Sequence, residues 1–271
     1  VLLQNRGSVL PLSPSLPSLL VAGVGADDVG LQCGGWTISW MGGAGPITPG
    51  STLLQGLRRL RPDADVAYDD RPLPARASVT EFVAVIRGCD NFCTYCIVPH
   101  VRGRERSRPA LSVVAEIQTL AALGARDVTL LGQNVNSYRD GDVDFPGLLR
   151  LASEVEGAPR LRFATSHPKD LSDELIEAVA TFPPVCEHIH LPVQSGSDRV
   201  LRAMGRGYDR QTYAGLIEAI RKRVPEASIT TDVIVGFPGE TENEYEETLS
   251  LMRSVRFNTT IMFRYSVREG T

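Results

Sequence analysis

From Glu81 onward, short apolar runs rich in β-formers alternate with longer stretches whose apolar positions recur at helical spacing. The runs predicted as strands are EFVAVIRG, DVTLLG, RLRFATS, HIHLPVQ, SITTDVIVGF and NTTIMFRYS. They are nearly continuous in apolar residues, which is typical of strands covered on both faces. Six consecutive β-α steps predict a parallel sheet with right-handed crossovers, either a barrel or a doubly wound sheet.

The predicted helices carry recognisable end signals. Gly124 closes the helix ALSVVAEIQTLAALG, and Ser172 is placed to cap SDELIEAVATF. Thr241 and Glu244 form the capping-box pattern that opens TENEYEETLSLMRSV. Two further helices are predicted in SDRVLRAM and RQTYAGLIEAIRKRV. Barrels and doubly wound sheets both place their chemistry at the carboxyl ends of the strands.

Residues 1–78 lack this rhythm and are rich in Gly, Pro and Ser. They predict an irregular extension with one helix in STLLQGLRRL, whereas residues 79–271 form the regular domain. The Ser- and Leu-rich opening weakly resembles an organelle transit segment, although its prolines interrupt an amphipathic helix. The chain begins at Val1, so a fragment of a longer protein is also expected.

Composition narrows the classes of function. The 271 residues carry a formal net charge of −4, so any nucleic-acid site must be a local basic patch. Apolar runs do not reach the ~20 residues of a membrane span. Five cysteines, three of them clustered, favour a reducing compartment with a metal or redox role over a disulfide framework. A cytoplasmic monomer is expected, with a mitochondrial or plastid location as the alternative.

The most specific pattern is C-x3-C-x2-C at Cys89, Cys93 and Cys96, on the loop that leaves the first predicted strand. Three thiolates would leave one iron of a 4Fe-4S cluster without a protein ligand, which favours a site-differentiated cluster that is open to a substrate. A zinc site completed by His100 is an alternative. An electron-carrying cluster completed by Cys33 or Cys186 is another, and three buried thiols without a metal are the simplest.

Polar, glycine-rich segments follow the other strands: GQNVNSY, SHP, QSGS and GFPGE. GFPGE also fits a type II turn with Pro238 and Gly239 at its centre. Asp232 lies inside the fifth strand, where its carboxylate needs a polar ligand or a cationic partner. His188 and His190 share one face of the fourth strand and are interpreted as barrel-filling residues. His167 fits a packing role or a contact with a ligand equally well.

Basic residues directly follow the cysteines: Arg102, Arg104, Arg106 and Arg108. In an extended segment these four side chains point the same way, which suits contact with nucleic-acid phosphates. A solvated loop with Glu105 as the partner is the alternative. The segment GRGYDR adds further basic charge with the same interpretation.

The motifs together resemble a known family. RGCDNFCTYCIVPHVRGRERSRP, LLGQNVNSY, RFATSHPKDLSDELI, HLPVQSGSDRVLRAMGRGY and TDVIVGFPGETENEYEETL are similar to the methylthiotransferases of the radical S-adenosylmethionine (SAM) superfamily, MiaB type. Tyr95, the aromatic residue before the last cysteine, is typical of the superfamily. The resemblance spans residues 80–271. It implies an α/β fold, a partial six-stranded (β/α) barrel.

The resemblance also implies chemistry. Cys89, Cys93 and Cys96 would bind a 4Fe-4S cluster whose open iron chelates SAM, and the released 5′-deoxyadenosyl radical would act on isopentenylated adenosine 37 of the tRNA anticodon loop. A flavodoxin or ferredoxin would supply the electron. The residues implied to contact SAM are Gly132, Gln133, Asn134, Ser166, Gln194, Ser195, Asp232, Gly236 and Gly239.

One departure from the family concerns a second, auxiliary 4Fe-4S cluster that supplies sulfur. The family binds it with three further N-terminal cysteines, whereas this sequence offers only Cys33 there. Radical generation is therefore expected more firmly than sulfur insertion. The alternatives are a non-catalytic iron-sulfur or zinc protein on the same barrel, and a radical SAM enzyme that acts without inserting sulfur.

Overall fold

The computed structural model describes residues 13, 15–33, 45–69, 77–268 and 271. Contacts divide the chain into two compact units, Val1–Pro74 and Ala75–Thr271. Most of the transit-like opening, residues 1–20, and most of the glycine-rich stretch 34–50 lie outside the described residues. Each unit is therefore considered by itself.

The first unit contains a small parallel pair of strands. Its elements are β1 (Ser18–Ala22), α1 (Val29–Cys33), α2 (Leu53–Leu60) and β2 (Asp65–Asp69). β1 and β2 pair in parallel, and Val21, Leu54 and Val66 form a small core between them and α2. The helix predicted in STLLQGLRRL is confirmed, because Thr52 caps it by accepting the amide of Gln55 at 3.1 Å. The two strands were not predicted for this irregular region.

The second unit contains the predicted β-α repeat. Its strands are β3 (Thr80–Ala84), β4 (Ile86–Arg87), β5 (Arg106–Ser107), β6 (Asp127–Leu131), β7 (Arg139–Asp140), β8 (Val143–Asp144), β9 (Arg160–Phe163), β10 (His188–His190), β11 (Ser228–Val235) and β12 (Thr259–Arg264). Its helices are α3 (Val98–Arg102), α4 (Ala110–Ala122), α5 (Phe145–Ser153), α6 (Asp173–Thr181), α7 (Asp198–Ala203), α8 (Arg210–Arg223) and α9 (Glu242–Val255).

Six of these strands form a parallel arc. β3, β6 and β9 are neighbours in one sheet, and β10, β11 and β12 are neighbours in another. A parallel bridge between Leu161 and Val185 connects β9 to the segment that leads into β10. The order β3-β6-β9-β10-β11-β12 is that of a partial barrel, so the predicted fold class is confirmed.

The strands alternate in burial, which the sequence pattern did not predict. Leu130, Leu161, Ile189 and Val233 are fully buried against the helices. Their neighbours along the strands point to the other face and are only partly buried or, at Arg160, exposed. The interior of an incomplete barrel stays accessible, so only one face of each strand is sealed by helices.

The predicted local signals are found at the ends of three helices, two at helix starts and one after a helix. Ser172 accepts the amide of Leu175 at 3.1 Å, and Glu244 accepts the amide of Thr241 at 2.8 Å. Gly124 follows α4 with φ of 106°. These short-range bonds fix the helix starts, and therefore the loops that leave the carboxyl ends of the strands.

Candidate functional site

The cysteine loop is closed at its base by a glycine. Gly88 has φ of 80°, and a Cβ atom placed there would lie 2.1 Å from the carbonyl oxygen of Arg104. Its amide donates to Oε1 of Gln133 at 2.7 Å, and the next amide, of Cys89, donates to the carbonyl of Gly103 at 3.2 Å. Only glycine permits this close approach of the two ends of the loop.

The far side of the loop is held by the end of α7. The amide of Thr94 donates to the carbonyl of Met204 at 3.0 Å, and the Thr94 hydroxyl donates to the carbonyl of Ala203 at 2.9 Å. Cys89 and Cys93 are 9% and 8% exposed, and Cys96 is half-buried. Burial is the main cause that raises the pKa of the Cys89 and Cys96 thiols. Three buried or half-buried thiols thus come from one anchored loop.

The described side chains do not form a preassembled metal site of any kind. Among the described residues, no group of three or more His, Cys, Asp or Glu side chains is arranged to hold a metal ion. Zn–S bonds of about 2.3 Å would require the sulfurs within about 4 Å of one another. Each cysteine of a cluster bonds a different iron, so the three sulfurs stand further apart around a cubane. The two interpretations therefore differ in the sulfur–sulfur distances that they require, and zinc completed by His100 stays the alternative.

A buried arginine lies against the cysteine loop. Arg206 is 5% exposed, and its Nη1 donates to Sγ of Cys93 at 3.5 Å and to the Tyr95 hydroxyl at 3.4 Å. Its Nη2 donates to the carbonyl of Pro192 at 2.8 Å, and its Nε donates to the Tyr208 hydroxyl at 3.0 Å. The interpretation of GRGYDR as an RNA-contacting patch is wrong for Arg206, because a buried guanidinium cannot reach phosphates.

A buried histidine adjoins the same network. The rings of His167 and Tyr208 lie 5.8 Å apart, edge to face. Burial, followed by the charges of Arg206 and Lys169, lowers the pKa of His167 to about 2. Its Nδ1 accepts the amide of Lys169 at 3.2 Å, so the single proton of the neutral ring lies on Nε2. That Nε2–H is a buried donor without a partner among the described residues.

Other unsatisfied polar atoms lie near the carboxyl ends of the strands. Buried atoms without a hydrogen-bond partner in the described part of the chain include Ser166 Oγ, His167 Nε2, Gln194 Oε1 and Asp232 Oδ1. Thr165 and Gln194 also adopt left-handed backbone conformations, with φ of 65° and 70°. Unpaired buried polar atoms are costly, and strained residues cluster at functional sites, so this edge of the barrel has the features of a ligand site.

A cavity of about 300 Å³ opens beside the loop. Tyr95, Cys96, Gln194 and Ile234 contribute to its lining together with the segment that follows β12, including Tyr265 and Arg268. This volume is at the lower end of the range for small-molecule sites. Cys96 and Gln194, whose Oε1 has no partner among the described residues, thus face one cavity.

A larger cavity of about 420 Å³ lies elsewhere, between α5 and α6. Its lining includes Arg223, which pairs with Asp173 at 3.0 Å and approaches Glu177 at 3.8 Å. Its charged lining residues are Arg150, Arg223, Asp173, Glu174 and Glu177, and none of the predicted site residues is present. The smaller cavity is therefore the better candidate site.

The GQN segment, residues 132–134, is packed against or hydrogen-bonded to other parts of the fold. A Cβ on Gly132 would lie 2.3 Å from Cγ2 of Ile86, so a side chain does not fit. Asn134 donates to Asp170 at 2.7 Å and accepts the amide of His167 at 3.1 Å. With Gln133 bonded to Gly88, the segment aligns the cysteine loop with the loop after β9. Contact of these three residues with SAM stays a prediction.

Ser195 and the GFPGE segment show similar structural roles. The Ser195 hydroxyl lies 3.3 Å from that of Thr248 and accepts the amide of Ser197 at 3.2 Å. The amide of Glu240 donates to the carbonyl of Phe237 at 2.8 Å, and Gly239 has φ of 76°, which are the features of a type II turn. The turn is thereby established, whereas its role as a backbone cradle for SAM stays a prediction.

The partner of Asp232 is a histidine. Oδ2 of Asp232 lies 3.4 Å from Nε2 of His190, while Nδ1 of His190 and Nε2 of His188 lie 2.9 Å and 3.1 Å from the Thr230 hydroxyl. Their shared partner shows that both histidines lie on the face of β10 that meets Thr230. The inner face of these strands therefore carries a continuous polar row.

The four arginines after the cysteines do not share one face. Arg102 ends a helix, Arg106 lies in β5, and Gly103 turns the chain between them with φ of 74°. Arg108 turns inward, donating to the carbonyl of Ala84 at 2.7 Å and pairing with Glu116 at 2.6 Å. The prediction of one extended basic face is wrong, since the segment is not extended throughout. Arg102, Arg104 and Arg106 are exposed, and Arg104 pairs with Asp90 at 2.9 Å.

The fold and the cysteine loop define a class, and comparison with known proteins agrees. Residues 83–252 match the radical SAM superfamily, and the chain belongs to that superfamily. Membership implies a 4Fe-4S cluster and SAM as cofactors. In the described part of the chain, no helix is both long and apolar enough to cross a membrane.

Similarity to individual proteins narrows the assignment within the superfamily. The chain is 57% identical over 198 residues to the tRNA-2-methylthio-N(6)-dimethylallyladenosine synthase of Syntrophotalea carbinolica, covering 72% of this chain and 45% of the relative. It is 54% identical over 213 residues to the same synthase of Caldicellulosiruptor saccharolyticus, covering 77% and 45%. The predicted resemblance to methylthiotransferases is confirmed. The chain spans less than half the length of these relatives.

Solved structures support the fold. The radical SAM methyltransferase TsrM from Kitasatospora setae aligns with a TM-score of 0.58 at 20% identity, over 68% of this chain and 36% of that one. The cobalamin-dependent radical enzyme OxsB aligns with a TM-score of 0.55 at 12% identity, over 83% and 31%. At these identities the likeness shows the barrel alone.

Proposed function

We propose that this chain is the radical-generating core of a tRNA methylthiotransferase. Cys89, Cys93 and Cys96 hold a 4Fe-4S cluster, and SAM occupies the cavity beside Cys96. The observation that carries this assignment is a set of three buried or half-buried thiols on one closed loop, next to a cavity lined by Cys96 and Gln194. The 57% identity to a named synthase supports the reaction class.

The surroundings of the loop fit an anionic cluster. Arg206 is a buried cation, and no carboxylate among the described residues pairs with it. A buried charge without a counter-ion is strongly unfavourable. Cluster-bound thiolates beside Cys93 would supply the missing negative charge.

The cavity fits SAM by its polar chemistry. The ammonium, carboxylate and ribose hydroxyls of SAM offer both donors and acceptors. Gln194 Oε1 and Ser166 Oγ are buried atoms without partners among the described residues, and Gln194 lines the cavity itself. Gly236 and Gly239 carry no side chain, which leaves the backbone of the GFPGE turn open to a close approach. Ser166, Gln194, Asp232 and these glycines are proposed as SAM contacts.

The barrel residues position the reaction. When bound, the cluster and SAM would supply a 5′-deoxyadenosyl radical able to remove hydrogen from carbon 2 of the target adenine. The polar row of His188, Thr230, His190 and Asp232 lines the inner face where a base would enter. A base held there would have to leave the stack of the anticodon loop. Fixed side chains hold reactants within reach of each other and lower the entropic barrier.

The proposed substrate is isopentenylated adenosine 37 of a tRNA anticodon loop. Three exposed arginines that follow the cysteines along the chain, Arg102, Arg104 and Arg106, are proposed to contact its phosphates. Arg108 is excluded from this group, because it is bound to Ala84 and Glu116. A flavodoxin or ferredoxin is the proposed electron donor.

Sulfur insertion requires an auxiliary cluster. Cys33 is the only cysteine before residue 89 of this sequence, so three local thiolates are not available for a second cluster. Anaerobic reconstitution followed by iron and sulfide analysis separates the cases. About four of each per chain indicates the single cluster proposed here, and about eight of each indicates a second cluster. Stoichiometric zinc without SAM cleavage would support a non-catalytic metal protein instead.

Substrate identity can be tested apart from sulfur insertion. A tRNA that carries deuterium at carbon 2 of the isopentenylated adenine is incubated with the reconstituted chain, SAM and dithionite. The proposed function predicts that deuterium appears in 5′-deoxyadenosine. Unlabelled 5′-deoxyadenosine, formed at the same rate with and without tRNA, would leave a radical SAM enzyme with a different substrate.

A further inference from the structure

Arg206 is held in one orientation by a rigid set of acceptors. Its guanidinium donates to the Pro192 carbonyl and the Tyr208 hydroxyl, and its centre lies 5.3 Å from the Tyr208 ring centroid. The Tyr208 hydroxyl in turn donates to the carbonyl of Val193 at 2.9 Å. These bonds fix the plane of the fork, so that Nη1 faces Sγ of Cys93 at 3.5 Å.

The charge of this side chain is not neutralised within the described residues. Its four side-chain and backbone partners are two tyrosine hydroxyls, one carbonyl and one thiol. Arginine stays protonated in proteins, so a full positive charge is buried there. The Arg199 guanidinium, by contrast, is half-exposed and pairs with Glu244. An anion bound at Cys93 would neutralise this charge.

We propose that Arg206 is the counter-ion of the cluster held by Cys93 and that it raises the reduction potential of that cluster. It acts through Cys93 and is therefore a positioning residue rather than a catalytic one. This inference rests on the proposed function, because it requires the cluster to bind at the cysteine loop.

The direction follows from electrostatics. Reduction adds one electron, supplied in the test by dithionite, and makes the cluster more negative by one charge without breaking a bond. A fixed positive charge a few ångströms away stabilises the reduced form more than the oxidised form, and burial strengthens the interaction. Net charge and hydrogen bonds to the sulfurs are known to set cluster potentials. Arg206 supplies both effects at one sulfur.

The test is a potentiometric titration of the reconstituted chain, followed by the electron paramagnetic resonance signal of the reduced cluster. Arg206→Gln removes the charge and retains hydrogen-bonding capacity. At a fixed solution potential near the parental midpoint, the reduced-to-oxidised ratio should fall at least tenfold. This corresponds to a shift of about 59 mV to more negative potential for a one-electron couple.

Arg202→Gln is the matched control, since it removes the same charge from an exposed position four residues earlier. Solvent screens that charge, so the midpoint should stay at the parental value. Arg206→Lys keeps the charge but not the planar fork, so its midpoint should lie close to that of the parental chain. A merely structural role for Arg206 would not produce this order of potentials.

The outcomes are distinguishable from failure of the proposed function. Absence of any cluster in the parental chain would reject the proposed function itself. A parental cluster whose midpoint is unchanged in Arg206→Gln would overturn the counter-ion role. If Arg206→Gln does not fold, as judged by circular dichroism, Arg206→Lys decides. A midpoint close to the parental value then supports the role, and a tenfold loss of the reduced form contradicts it.

Discussion

The two sides of the cysteine loop contain the same residue type in opposite states. On the inner side, Arg206 is buried against Cys93 without a carboxylate partner among the described residues. On the outer side, Arg104 is exposed, pairs with Asp90 and lies over the Phe92 ring at 5.8 Å. Arginine in a sequence indicates charge, but only burial decides whether that charge meets water, phosphate or a buried anion.

The largest loss of stability is expected at the base of the cysteine loop, at Gly88. Gly88→Ala would place Cβ 2.1 Å from the Arg104 carbonyl oxygen at a φ of 80°. Overpacking and backbone strain together should destabilise the unit by about 3 kcal/mol or more and should abolish cluster loading. Urea unfolding and iron analysis check this.

Gly141→Ala is the control for Gly88→Ala, because Gly141 also has a positive φ, of 58°, but a Cβ there meets nothing within 4 Å. It should cost only about 1 kcal/mol of strain and keep the cluster. Equal losses of stability in the two variants would contradict the close approach at the base of the loop.

A second test compares the contributions of Arg106 and Arg108, two arginines that follow the cysteines, to the free energy of unfolding. Arg108→Gln should destabilise the fold by about 2 kcal/mol, because it leaves Glu116 and the Ala84 carbonyl without their partner. Arg106→Gln should change stability by no more than about 0.5 kcal/mol, as is usual for an exposed position. Thermal or urea unfolding of the pair checks the difference. Similar values for both would contradict the structural role assigned to the bonds of Arg108 with Ala84 and Glu116.

A third test uses pH to probe the inner side. The pKa of His167 is lowered by burial to about 2 from 6.5, so between these values the unfolded chain binds a proton that the folded chain does not. Its contribution to stability is therefore complete above pH 6.5 and is lost as the pH falls, by up to about 1.4 kcal/mol per unit.

Urea unfolding between pH 6.5 and about pH 5 measures this slope. His167→Gln should flatten it relative to the parental chain. Identical slopes in the two proteins would mean that His167 is not kept neutral in the folded state.

The smallest effect is expected for RNA binding at the outer side. Removing one cation that touches a phosphate should lower the magnitude of the slope of log K against log salt by about 0.7 to 0.9. Arg106→Gln should show this change with an anticodon stem-loop, measured by fluorescence anisotropy. Arg150→Gln, an exposed change on α5, should not. An unchanged slope in Arg106→Gln would remove that residue from the interface.

Much of the barrel followed from local pattern, and much of the site did not. The β-α rhythm after Glu81 and the caps at Ser172 and Thr241 depend on neighbours within a few residues, so the sequence reveals them. The burial of Arg206 depends on Cys93, which is 113 positions away along the chain. The strands β1 and β2 were missed for the same reason, since their pairing joins distant segments.

The site residues show the same division. The C-x3-C-x2-C spacing identifies the cysteine loop directly in the sequence. The left-handed conformations of Thr165 and Gln194 depend on tertiary contacts, so no local sequence pattern predicted them. Asn134 looked available for a ligand in the sequence but bonds Asp170 and His167. A polar residue after a strand therefore indicates the correct edge of the barrel without revealing which partner it takes.

The most direct measurement is the release of 5′-deoxyadenosine from SAM by the anaerobically reconstituted chain with dithionite, comparing alanine replacements of single cysteines. Cys89→Ala, Cys93→Ala and Cys96→Ala should each lose both the visible absorbance of the cluster and the product. Cys186→Ala, a half-buried cysteine outside the loop, should retain both. Parental absorbance and product release in any one of the three loop variants would contradict the central claim.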